Sequence, residues 1–155
     1  MTDRTPPWTR KGHEKEGMTM RLFRDDLDDI ELFAEANRAE RAVIRRHLTP
    51  LSVPAGRVLV QEGARGDEFM VLMEGNATVS QGGQTIATLE RGDLVGEMAL
   101  LDDGAGRRNA TVTATTDALI YVGSRTDFRQ ILHAVPSVAR KVRQTAKART
   151  LPRAA

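Results

Sequence analysis

Residues 57–90 read RVLVQEGARGDEFMVLMEGNATVSQGGQTIATLE, and the fold depends on how this stretch divides. With the LSV that begins at Leu51, it separates into short alternating segments: LSV, RVLVQE, EFMVLME, NATVSQ and QTIATLE. Gly56, Gly63, Gly66, Gly75, the Gly82–Gly83 pair and Gly92 stand between them. Glycine at such points supplies the backbone angles that tight turns require. Strands this short and evenly spaced predict an antiparallel sandwich or roll. The strand pattern resumes at Ala110 and continues to Val122.

Helical signals lie on both sides. Upstream, Leu27, Ile30 and Phe33 recur at spacing three. Asn37 followed by Glu40 forms an N-x-x-E capping arrangement, and Ala39, Val43, Ile44 and Leu48 mark an apolar face that Pro50 ends. Helices are therefore expected within 26–48. Downstream, Ser124-x-x-Asp127 is a second helix start, with Phe128, Ile131 and Leu132 on its apolar face. Pro136 opens a further helix, along which Val135, Val138 and Val142 form a narrow stripe, giving helices over 124–149. That stripe is too short for a coiled coil and is expected to pack the last helix on the roll. The fold class is thus mainly β with flanking helices, a β-roll over 51–122 in a single domain at 21–150. Residues 1–20 read as a disordered tail and 151–155 as a short one.

Composition narrows the function. In 155 residues, 40% hydrophobic and 28% charged content suits a globular chain with a core. Cysteine is absent, which excludes disulfides, iron–sulfur clusters and thiolate zinc sites and fits a cytoplasmic protein. FMVLM (69–73) and ALIYV (118–122) are too short to span a membrane. The three histidines, His13, His47 and His133, fall in the tail and two helices, so no metal cluster is expected. Neither a G-x-S-x-G elbow nor a P-loop occurs, and an enzyme is not expected. After Asp127 no acidic residue follows, while Arg129, Arg140, Lys141, Arg143, Lys147, Arg149 and Arg153 accumulate. This reads as a solvated helix face in preference to a nucleic-acid or membrane contact.

The chemistry concentrates in GEMALLDDGAGRRNATVTA, residues 96–114. GEMALL is long enough for one helical turn, whose first N–H groups attract an anion. Arg107 and Arg108 bring guanidiniums back to the same point, and a guanidinium can fork two N–H bonds onto phosphate. An ionised Glu97 only accepts hydrogen bonds, so beside an anion it needs a donor, which a sugar hydroxyl provides. A ribose phosphate fits this arrangement. The residue types alone equally permit an ion pair of Glu97 with an arginine across the loop and no ligand.

From about Leu27 to Val142 the sequence resembles the cyclic nucleotide-binding domain shared by catabolite-activator-type regulators and protein kinase regulatory subunits. GEMALL resembles the opening of that family's phosphate-binding cassette, RNATV at 108–112 its close, and residues 54–79 its glycine-marked first strands. The resemblance implies an antiparallel β-roll of jelly-roll type, cyclic AMP or cyclic GMP as ligand, and no metal. It implies that Glu97 accepts from the ribose 2′-hydroxyl and that Arg108, three residues before Thr111, pairs with the cyclic phosphate in competition with Arg107. Gly96, Met98 and Ala99 would give backbone contacts at the short helix, and Ala110 where the strand resumes. Asn109 stands where a hydroxyl in the family can favour guanine.

The implied function is a cyclic nucleotide sensor without a fused DNA-binding or catalytic domain, in which binding shifts the C-terminal helices. Val138, Val142, Thr145 or a partner subunit would cover the base. The implied partners are a cyclic nucleotide and an unidentified downstream protein; a homodimer is open, and DNA binding is not expected. The alternative is a fold of this type that has lost its ligand and acts as a protein-interaction module.

Overall fold

The computed structural model describes residues 27–101 and 106–150. The tails expected at 1–20 and 151–155 lie outside these residues. Eight strands are described: β1 (Thr49–Val53), β2 (Val58–Val60), β3 (Glu68–Glu74), β4 (Ala77–Gln81), β5 (Gln84–Leu89), β6 (Leu94–Val95), β7 (Thr111–Ala114) and β8 (Ala118–Ser124). They form two four-stranded antiparallel sheets, ordered β1-β8-β3-β6 and β2-β7-β4-β5. This is the expected antiparallel β-roll. Gly82 and Gly83, at φ 57° and 82°, make the two-residue turn of the β4–β5 hairpin; positive φ at both central positions is the form whose twist matches the flanking strands.

The two uninterrupted apolar runs explain how the layers fit. Phe69, Val71 and Met73 of β3 pack with Leu119 and Tyr121 of β8 toward the helices. Met70 and Leu72 join Ala118, Ile120 and Val122 inside the roll. Successive strand residues point to opposite faces, so a strand buried on both faces has no polar alternation to show. These central strands separate two cores, one inside the roll and one beneath the helices.

The helices are α1 (Arg38–His47), α2 (Glu97–Leu101), α3 (Arg125–Ala134) and α4 (Pro136–Thr150). Asn37 and Glu40 form a reciprocal capping box on α1, as do Ser124 and Asp127 on α3. The Leu27–Ile30–Phe33 spacing forms tight turns with a 3₁₀ segment at Glu31–Phe33 in place of an α-helix. Ile30 N–H donates to Leu27 O and Phe33 N–H to Ile30 O; a repeat of three is the 3₁₀ period and brings all three side chains to one face. The roll begins two residues before Leu51, with Pro50 inside β1. That strand is a sheet edge, where a missing N–H is tolerated.

Val135, Val138 and Val142 are buried in the helix-side core with Phe128 and Ile131. Phe128 meets Phe69 at a ring-centroid distance of 4.9 Å. Arg140 bonds Glu35 at 2.5 Å, and Lys141 reaches the same carboxylate at 3.1 Å, tying α4 to the segment after the 3₁₀ turn.

Candidate functional site

A cavity of about 410 Å³ opens into the roll, within the range of small-ligand pockets. Its apolar wall comes from the roll strands, including Val60, Val79, Ile86, Leu89 and Val112. At its other end stand Gly96, Glu97, Arg108, Asn109, Ala110 and Arg149. One pole is therefore charged and hydrogen-bonding, while the rest, apart from Gln81, is a hydrocarbon surface suited to a flat ring.

Glu97 begins the one-turn helix α2 and is fully buried, at 0% exposure. Both of its carboxylate oxygens accept from Nη1 of Arg149, at 2.6 and 2.8 Å. Burial raises its pKa, opposed by the charge of Arg149, a bond from its own backbone N–H, the Arg149 hydrogen bond and the charge of Arg108. A buried carboxylate is costly unless it is paired, and this one has its partner.

Arg108 is 9% exposed. Its Nη2 donates to Glu68 O at 2.7 Å and its Nη1 to Gly96 O at 3.2 Å. Its backbone is clamped by bonds from Arg108 N–H to Ala64 O and from Gly63 N–H to Arg108 O. Two of five guanidinium N–H groups are spent on neutral carbonyls, which leaves three donors for an anion. Burial lowers the pKa, while Glu68, Asp67 and Glu97 work to raise it.

Gly96 makes this close packing feasible. It has φ +85°, and a Cβ there would overlap the Arg108 guanidinium and lie 3.0 Å from Glu68 O. Only glycine combines that backbone angle with that approach.

The expected site residues divide as follows. Gly96, Glu97, Arg108, Asn109 and Ala110 come together at the cavity. Met98 and Ala99 lie in α2 immediately after Glu97. Arg107 is exposed, does not line the cavity, and donates through Nη1 to Gly63 O at 3.1 Å. The Asn109 carbonyl accepts from Nε2 of Gln81, another cavity residue, at 2.9 Å.

Val138 and Val142, expected as base covers, are turned into the helix-side core at 2% and 1% exposure. The α4 residue that reaches the cavity is Arg149, which sequence reasoning did not single out. Its signal was present: Arg149 stands seven residues after Val142, two helical turns along the inward stripe. Its place among many basic residues concealed it.

Among the described residues no group of three or more His, Cys, Asp or Glu side chains is placed to hold a metal. No described helix is long and apolar enough to cross a membrane.

The family profile described as "Cyclic nucleotide-binding domain" matches residues 50–134. The cAMP-dependent protein kinase regulatory subunit of Aspergillus fumigatus is 33% identical over 129 residues, covering 82% of this chain and 31% of its own length. The chain thus spans about a third of that relative. Among solved structures, one described as "Sp-2Cl-cAMPS bound to PKAR CBD2" has a TM-score of 0.69 and 27% identity, over 84% of this chain and 89% of the other. The catabolite activator protein of Thermus thermophilus has a TM-score of 0.67 and 27% identity, over 76% and 57%. With the profile matching more than half its residues, this chain belongs to the cyclic nucleotide-binding domain family.

Proposed function

We propose that the chain is a receptor for a 3′,5′-cyclic nucleotide, cyclic AMP or cyclic GMP, and that it regulates by binding without turning its ligand over. The observation that carries this is the meeting of a buried acid and a buried guanidinium, Glu97 and Arg108, at one end of an apolar chamber. Arg108 takes the single negative charge of the cyclic phosphodiester, and Glu97 accepts from the ribose 2′-hydroxyl. The purine lies along Val60, Val79, Ile86 and Val112. A fixed charged donor in a low-dielectric pocket interacts more strongly with an anion than it would in water.

The signal passes to the helices. Arg125, the first residue of α3, donates from Nη2 to Gly66 O at 3.0 Å and from Nη1 to Leu100 O at 3.5 Å, near the end of α2. Ligand seated on α2 therefore bears on α3 and, through Arg149, on α4. A change in their packing follows only if the ligand binds one arrangement better than the other. A downstream partner reads that change.

The Glu97–Arg149 pair also supports the second reading, an interaction module without ligand, since it satisfies the buried acid internally. Thermal melting separates the two. Cyclic AMP or cyclic GMP at a hundred times its dissociation constant adds about 2.7 kcal/mol of stability, a rise of roughly 10 °C for a domain of this size. An unchanged melting temperature with both nucleotides favours the interaction module.

A further inference from the structure

Arg149 is an unusual member of the pocket. It comes from the last turn of α4, far from the loop that supplies Glu97 and Arg108. One of its nitrogens meets both oxygens of Glu97, yet the chamber beside it keeps about 410 Å³. It is a wall of the chamber and not a plug. Each carboxylate oxygen has two lone pairs, so the pair leaves acceptor capacity for a ligand hydroxyl. We propose that Arg149 is a positioning residue of the sugar-binding end: it holds Glu97 oriented and charged as an acceptor, and so couples the end of α4 to the ribose hydroxyl and not to the phosphate. This rests on the proposed function.

The charges around Glu97 explain why Arg149 is needed. From α4 comes Arg149, and from the segment before β7 comes Arg108. Arg108 is itself flanked by Glu68 on β3, Asp67 just before it, and Arg125 on α3. Arg108 bonds the carbonyls of Gly96 and Glu68, and among the described residues Arg149 is the cation that bonds the Glu97 carboxylate directly. With burial pushing the carboxyl upward, removal of Arg149 leaves Glu97 protonated over a wider pH range. A neutral acid accepts a hydroxyl hydrogen bond more weakly than a carboxylate does.

The test compares the parent chain with Arg149→Met and Arg149→Lys, titrated with cyclic AMP and with 2′-deoxy cyclic AMP between pH 5.5 and 8.5. The Met variant loses affinity for cyclic AMP by on the order of tenfold near pH 6. The loss narrows as pH rises and Glu97 ionises, and Lys restores most of the affinity. Affinity for the 2′-deoxy ligand stays within about twofold of the parent across the series. Equal loss for both ligands at every pH overturns the proposal, because that is what structural damage alone produces.

Melting without nucleotide gives a second readout. A carboxyl whose folded pKa is raised contributes stability that is present at low pH and lost as pH rises through that pKa. Removing Arg149 raises it further, so the gap in melting temperature between parent and Met variant widens with pH, and adding Glu97→Gln closes it. A gap independent of pH overturns the role of Arg149 while binding by the parent, and with it the proposed function, still stands. A parent that binds neither cyclic nucleotide overturns both.

Discussion

Replacing Gly96 by alanine tests the packing on which the whole site rests. Two costs are expected. The first is conformational, since φ +85° places an L-residue in the left-handed region at about 1–2 kcal/mol. The second is steric. The new Cβ overlaps the Arg108 guanidinium and sits 3.0 Å from Glu68 O. The guanidinium must withdraw at the expense of its bonds to Gly96 O or Glu68 O, and hydrogen bonds to charged groups contribute about 1.5–3 kcal/mol each. Losing one of the two, with partial relaxation, brings the total to roughly 3–5 kcal/mol. Gly82→Ala is the control, because Gly82 has φ +57° and open space around it; it carries the conformational cost alone, about 1–2 kcal/mol. Urea denaturation of the two variants gives the difference, and titration with cyclic AMP shows whether the displaced arginine still binds. If Gly96→Ala is no less stable than Gly82→Ala and binds as the parent does, the contact between Gly96 and Arg108 does not organise the site.

Other outcomes follow from the same contacts. Arg108→Met weakens cyclic AMP binding by on the order of a hundredfold, while Arg108→Lys, which keeps the charge without the fork, retains an intermediate affinity in the same titration. Phe128→Ala removes a 2%-exposed ring that meets Phe69 at a tilt of 53° and costs about 3–5 kcal/mol in denaturant unfolding. At Asp127, burial alone raises the pKa, but bonds from the His47 ring and from the N–H and hydroxyl of Ser124 outweigh it and bring the carboxyl below its usual value. Its contribution is therefore present above the unfolded aspartate range, about 3.9, and lost as pH falls through the depressed folded value. Asp127→Ala accordingly melts below the parent at pH 7, and the gap narrows in melting curves taken as pH falls below the unfolded aspartate range.

How far the sequence discloses this arrangement varies with the kind of signal. Capping boxes are local, and Asn37–Glu40 and Ser124–Asp127 mark the starts of α1 and α3 without reference to the rest of the chain. Glycine spacing between 56 and 92 discloses the roll because a hairpin turn is set by a few neighbouring residues. Signals that depend on distant neighbours are harder to read. FMVLM and ALIYV identify strands, but only the sheet order shows that β3 and β8 divide two cores. Leu27, Ile30 and Phe33 carry a period of three that suits a 3₁₀ turn as well as the start of an α-helix. Of the cavity residues, Glu97 and Arg108 stand out because they sit in one short loop. Arg149 lies 52 residues beyond Glu97, and only the packing of α4, set by Val135, Val138 and Val142, brings the two together.

The most direct measurement is the structure of this chain with cyclic AMP bound. Phosphate oxygens are expected about 2.7–2.9 Å from the Arg108 guanidinium, with the 2′-hydroxyl on Glu97 and the base against the apolar wall of the roll. A nucleotide whose phosphate is held by Arg107, or one seated outside this chamber with Glu97 and Arg108 untouched, contradicts this placement.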